Sequence, residues 1–306
     1  MTLILRLVLL AEITLYILSA VWCRMVIAWP WMVSLAAAIL VPFALRSTLI
    51  AITFVVAMKE PSAAKRRWNW LRAYVLETLS PIAFLSVYGP FEKFLLRDSK
   101  PNRQRADASP SESEKPLIIL VHGYLSNRGI WWRYARHFQK RGYYVAAVNL
   151  SPPLASIESF VEQLQLAIVH HRKASQVSKT ILISHSMGGL VCRAWFSKYG
   201  DENIAQMITI GSPHNGTQLA PLAFGACAKE MQITSDWHKK MTDKESLYTR
   251  QKITSIRSLQ DNVVLPNHSA DLLHAKNIAF RGVGHLSTVT DSRIKNYIVG
   301  LVESGA

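Results

Sequence analysis

Over its first 58 residues the chain carries only four charged side chains, Arg6, Glu12, Arg24 and Arg46. So apolar a stretch belongs in lipid, where every backbone amide must find its partner inside the segment, and a helix is the structure that achieves this. Residues 3–22 supply about twenty apolar positions, enough to cross a hydrocarbon core. Residues 25–45 form a second, uncharged run, with Pro30 near its start and Pro42 placed to kink its far end. Apolar sequence continues over 47–58, so the second span is expected to pass Arg46, whose side chain should then snorkel toward headgroups. Trp22, Trp29 and Trp31 cluster about the connection, as an interfacial belt does. A cleaved leader would need a small residue after Ser19-Ala20-Val21, where bulky Trp22 stands, so the segment is expected to be retained.

Charge gives the expected orientation. Lys59, Lys65, Arg66, Arg67 and Arg72 come after the second span, against Arg24 alone between the spans. The positive-inside rule then puts both ends of the hairpin in the cytoplasm. Residues 59–96 read as an amphipathic segment. Its uncharged part, 78–91, is too short to span and should lie in the interface or pack on the globular half of the chain. Residues 97–116, rich in Ser, Pro and charge, read as a polar linker. The net charge of +15 is spread along the chain rather than gathered on one helix with interleaved aromatics. Attraction to anionic headgroups explains it better than nucleic acid, which is not an expected partner.

From residue 117 to 306 the pattern changes. Short apolar runs at 117–121, 145–150, 180–183, 207–210, 253–256 and 278–280 read as strands. Between them, 130–141, 157–171 and 188–199 read as helices; in the second, Ile157, Phe160, Val161, Leu164 and Ile168 share one face. Strand alternating with helix predicts an α/β domain whose mostly parallel sheet is covered on both faces. Three scattered cysteines, Cys23, Cys192 and Cys227, give no disulfide framework.

Ser184-His185-Ser186-Met187-Gly188-Gly189 succeeds a buried strand and opens a helix. Small residues around Ser186 are what a sharp strand-to-helix turn demands, and such a turn exposes the serine as a nucleophile. Ser184 stands where a glycine is usual and adds only a small side chain. The serine needs a base, and the base an orienting acid, both from loops after later strands. Asp261 and His285 occupy those positions, in that order. His268, His274 and Asp271 precede the last strand, Asp291 comes after His285, and Asp236 and Asp243 fall within 213–250, a candidate cap that reads equally well as a connecting loop and helix. His122-Gly123-Tyr124 ends the first strand, so the N–H groups of Tyr124 and Met187 are the candidate oxyanion donors, with His122 bracing the loop. No metal-ligand spacing occurs, and no cofactor is expected.

These motifs, with Gly211-Ser212-Pro213-His214-Asn215-Gly216-Thr217 between them, resemble bacterial triacylglycerol lipases and related esterases of the α/β-hydrolase superfamily. The resemblance implies an α/β-hydrolase fold after two transmembrane helices and a Ser186–His285–Asp261 triad. It also implies a serine hydrolase of hydrophobic acyl esters, which the two apolar spans and the charge bias would anchor on the cytoplasmic side of a bacterial inner membrane. His214 is expected only to shape its loop. Two other readings stand beside this one: an acyltransferase using the same triad, and a non-catalytic membrane scaffold or transport component.

Overall fold

The computed structural model describes residues 1–60, 67–99, 115–200 and 202–305. Two helices form an N-terminal hairpin, α1 (Thr2–Met25) and α2 (Trp31–Met58). At 1.5 Å per residue they are about 36 and 42 Å long, sufficient to span a bilayer. They pack through small side chains, with Ala20, Ser34 and Ala38 buried. Only 11% and 6% of their most apolar windows are buried, so neither is a core helix of the sheet domain. The second helix starts at Trp31 rather than near Met25, because Pro30 cannot join a helix from within and restricts the residue before it. The Arg46 guanidinium pairs with Glu12 across the hairpin at 2.7 Å, so the two charges compensate each other on otherwise apolar helices.

The domain is built on a six-stranded, wholly parallel sheet in the order β2-β1-β3-β4-β5-β6. The strands are β1 (Leu117–Val121), β2 (Val145–Val148), β3 (Thr180–His185), β4 (Ile204–Ile210), β5 (Ile253–Ser258) and β6 (Lys276–Phe280). After α3 (Arg67–Ala83), the longer helices are α4 (Trp132–Lys140), α5 (Ile157–Ser175), α6 (Met187–Tyr199), α7 (Asp236–Lys244) and α8 (Ser292–Ser304). Strand residues alternate between two cores. Leu117, Ile119 and Val121 face the α5–α6 side, while Ile118 and Leu120 face α4 and α8. Helix α5 starts where Ser156 Oγ accepts from Ser159 N–H at 3.2 Å, and it ends at Gln176 in the left-handed region. The order of strands reverses beside β1 and β3, where open α/β sheets carry their sites.

Helix α3 has two faces. Trp70, Ala73, Glu77, Thr78 and Ser80 are buried against the domain, while Trp68, Leu71, Val75 and Leu79 form an exposed apolar stripe. The ends of the hairpin also touch the domain. Leu5 is buried against Phe84 in the α4–α8 core, and Phe54 and Ala57 pack with Trp70, Ala73 and Leu265. Of the stretch 97–116, Asp98 and Ser99 lie along the outer edge of β2. Their side chains accept from Ala147 N–H and Val145 N–H at 3.3 and 3.0 Å. Residues 100–114, the bulk of the expected linker, lie outside the described residues, as do Lys65 and Arg66.

Candidate active site

Strand β3 delivers Ser186 at the start of α6 with φ +54 and ψ −129, a conformation a non-glycine residue holds only when its surroundings enforce it. The surroundings are tight. A Cβ on Gly123 would stand 2.8 Å from Ser186 Cβ, so the loop after β1 can lie against the turn only with glycine there. Gly189 is equally constrained: a Cβ would meet Ser212 Oγ at 2.1 Å. Ser184, in the position where glycine is usual, is fully buried and points its hydroxyl toward Ile208 O at 3.4 Å.

Three loops at the C-terminal edge of the sheet converge on this turn. Ser186 Oγ lies 3.0 Å from His285 Nε2, and His285 Nδ1 lies 3.0 Å from Asp261 Oδ2. With Nδ1–H donated to the carboxylate, Nε2 is free to accept the hydroxyl proton. The other oxygen of Asp261 accepts from the N–H groups of Val263 and Val264, both at 2.8 Å, which fixes the carboxylate in place. Burial works against a charge on His285. The field of Asp261 and its hydrogen bond outweigh that, with a further contribution from Glu77, and hold the imidazole above its ordinary value.

Tyr124 and Met187 come directly after Gly123 and Ser186, one in each of the two segments pressed together at the turn. Among the described residues neither backbone N–H has a protein acceptor. His122 donates through Nδ1 to Gly123 O at 2.8 Å and accepts Leu150 N–H at Nε2 at 3.0 Å. The ring is therefore neutral, and burial pushes it down to about 4. Tyr124 also ties down the segment after β4: its hydroxyl donates to Phe224 O at 2.8 Å and accepts from Phe224 N–H at 3.1 Å. Within 213–250 the chain forms α7 and several shorter helical turns, with Leu222 and Phe224 exposed and Met231 buried in the core.

The competing acids and histidines are elsewhere. Asp271 pairs with Arg257 at 2.7 Å, and Asp291 is held by Arg72 and Arg293. His214 is buried, with Nε2 2.8 Å from Thr209 Oγ1 and its carbonyl accepting from Arg193. No group of three or more His, Cys, Asp or Glu is gathered for a metal among the described residues.

Some participants escape a motif reading. Asn262 Oδ1 accepts His285 N–H at 3.0 Å, while its Nδ2 donates to Thr53 of α2 at 2.9 Å. His185 Nε2 sits 3.3 Å from His285 O, with the two rings 4.9 Å apart. Glu77 reaches the histidine loop from α3. Its signal in the sequence is faint: it is the one acidic residue in the apolar stretch 68–91.

A family model for the alpha/beta hydrolase fold matches residues 116–232. The chain is 26% identical over 229 residues to the human lysosomal thioesterase PPT2, covering 67% of this chain and 70% of the relative. Among solved structures, the mature Bacillus licheniformis lipase BlEst2 aligns with a TM-score of 0.55 at 20% identity, covering 63% of this chain and 93% of that one. Aspergillus fumigatus lipase B aligns with a TM-score of 0.57 at 16% identity, over 85% and 81% of the two chains. The domain carried by the hairpin has the α/β-hydrolase fold.

Proposed function

We propose that the protein is a serine ester hydrolase, held at a membrane by α1 and α2, that cleaves hydrophobic acyl esters. The observation that carries this reading is the unbroken series from Asp261 through His285 to Ser186, each step 3.0 Å, beside two unengaged N–H groups. Ser186 Oγ attacks the ester carbonyl as its proton passes to His285 Nε2, and Asp261 steadies the imidazolium. The N–H groups of Tyr124 and Met187 receive the developing oxyanion. His285 returns the proton to the leaving alcohol, and water, activated by the same imidazole, releases the acid from Ser186. Acyl-enzyme chemistry of this kind serves lipases and thioesterases alike, the activities named for the relatives.

A lipidic substrate is argued from where the domain is held. The ends of both hairpin helices contact it, the stripe Trp68, Leu71, Val75 and Leu79 is exposed beside them, and Leu222 and Phe224 are exposed on the cap above Tyr124. The basic residues after α2 favour the cytoplasmic leaflet of a bacterial inner membrane. The test is release of free acid from long-chain acyl esters in detergent or vesicles, with and without added alcohol. Free acid as the main product with alcohol present supports the hydrolase, and transfer to the alcohol makes the protein an acyltransferase. No acyl product, or equal activity in Ser186→Ala, overturns both.

A further inference from the structure

The catalytic histidine's loop is gripped by a helix that lies outside the sheet altogether. Glu77 on α3 is buried, 4% exposed. Its Oε1 accepts Leu286 N–H and its Oε2 accepts Ser287 N–H, both at 2.8 Å. These are the two residues directly after His285, so the carboxylate clasps the turn that sets the imidazole's direction. The fit is close, for a Cβ on Gly284 would stand 2.7 Å from Glu77 Oε2. Two further contacts tie the same helix to the same loop: Arg72 donates to Gly282 O and pairs with Asp291 at 2.9 Å, and Ser80 Oγ lies 3.4 Å from Thr290 Oγ1. A buried carboxylate receiving two backbone N–H bonds is a costly feature to place on the inner face of an amphipathic helix unless it holds something. A leucine there would complete the apolar stripe that Trp70, Ala73 and Phe84 begin.

We propose that Glu77 is a positioning residue for His285, so that the helix joining the membrane hairpin to the hydrolase domain is part of the catalytic apparatus. The inference rests on the ester-hydrolase reading for what His285 does. Around the His285 ring stand Asp261 and Asn262 from the loop after β5, His185 and Ser186 from the end of β3, and Glu77 from α3. Arg72 and Asp291 pair with each other one turn further out. Glu77 therefore acts in two ways. It fixes the backbone that carries the base, and its charge favours the imidazolium. Burial raises the Glu77 carboxyl, and the two N–H bonds work against that rise in favour of the ionised form.

The experiment uses the full chain in detergent or nanodiscs. In Glu77→Gln one N–H loses its acceptor and the charge is gone. The value of kcat/KM should fall by about 10- to 100-fold, the cost of a misdirected reacting group, and the acidic limb of its pH profile should move to lower pH. Glu77→Asp keeps the charge but withdraws it by one methylene, so the rate should fall with the limb nearly in place. Thr78→Val, buried on the same helix with its hydroxyl bonded to Tyr74 O of that helix, should leave the limb unmoved and the rate near that of the parent. A folded Glu77→Gln with the parent's rate and limb overturns the proposal, as does an equal loss in Thr78→Val. If Glu77→Gln does not fold, parental activity in Glu77→Asp overturns it. Titration of the His285 ring by NMR in the parent and Glu77→Gln reads the same coupling without turnover, so it still decides the matter if the hydrolase reading itself fails. A lowered midpoint in the variant is expected, and an unchanged one overturns the proposal.

Discussion

His185 at the end of β3 and His285 after β6 are neighbours with opposite proton affinities. Both are buried, 3% and 7% exposed, and their rings are 4.9 Å apart. Burial, followed by the field of His285, holds His185 well below its ordinary value. His285 is held above its own, because Asp261 and Glu77 outweigh the same burial. Desolvation alone makes an imidazole a neutral packing group. A fixed carboxylate on Nδ1 makes the same ring a base. The chemistry of this edge of the sheet is thus decided by which histidine the acid loop reaches.

Removing that carboxylate is the severest way to break the contrast. Asp261→Asn should lower kcat by about 10⁴-fold, as loss of the orienting acid does in such triads. Steady-state assay checks it, and if Asp271→Asn or Asp236→Asn is the crippling change instead, the acid has been misassigned. A third buried imidazole extends the comparison. His122 has no carboxylate on its ring and behaves like His185, with a folded value of about 4 against an ordinary 6.5. A ring kept neutral by the fold contributes stability that is fully present above the unfolded value and is lost as pH falls toward the folded one. The fall from pH 6.5 to 4 should therefore remove on the order of 3 kcal/mol. Denaturation of the parent and His122→Asn over that range should show their difference in stability shrinking; a constant difference contradicts the neutral ring. The smallest effect belongs to His185→Asn, which loses a hydrogen bond at His285 O worth about 1 kcal/mol, or roughly fivefold in rate. Because His185 is uncharged, the acidic limb should stay in place, and a limb displaced to higher pH would mean that the ring carries charge.

Strands β1 to β5 were legible because each is built on a short apolar run bounded by turn residues, and burial on both faces demands such runs; β6, at the edge and largely exposed, showed only its apolar end, Ile278 to Phe280. Their ends were less so. Strand β3 continues through His185 and β4 begins at Ile204, since polar residues extend a parallel ladder wherever its amides remain paired. Ser186, Asp261 and His285 could be singled out because chain order and strand ends limit which side chains can meet. Glu77, Asn262 and Arg46 could not be read in this way. Each takes its role from a partner far along the chain: Glu77 from residues 209 and 210 positions away, Asn262 in part from Thr53, and Arg46 from Glu12 on the other helix. Local pattern carries no information about such pairings. For Arg46 the partner is a carboxylate 34 positions back, which no local run of residues announces.

Whether Ser186 is an activated nucleophile can be read with a serine-directed fluorophosphonate, without any assumption about substrate. An imidazole 3.0 Å from the hydroxyl should make this serine reactive while the remaining serines stay inert. One covalent adduct is expected, located on Ser186 by peptide mass spectrometry, and none in Ser186→Ala. Equal labelling of the two proteins, or an adduct at another serine, would contradict it.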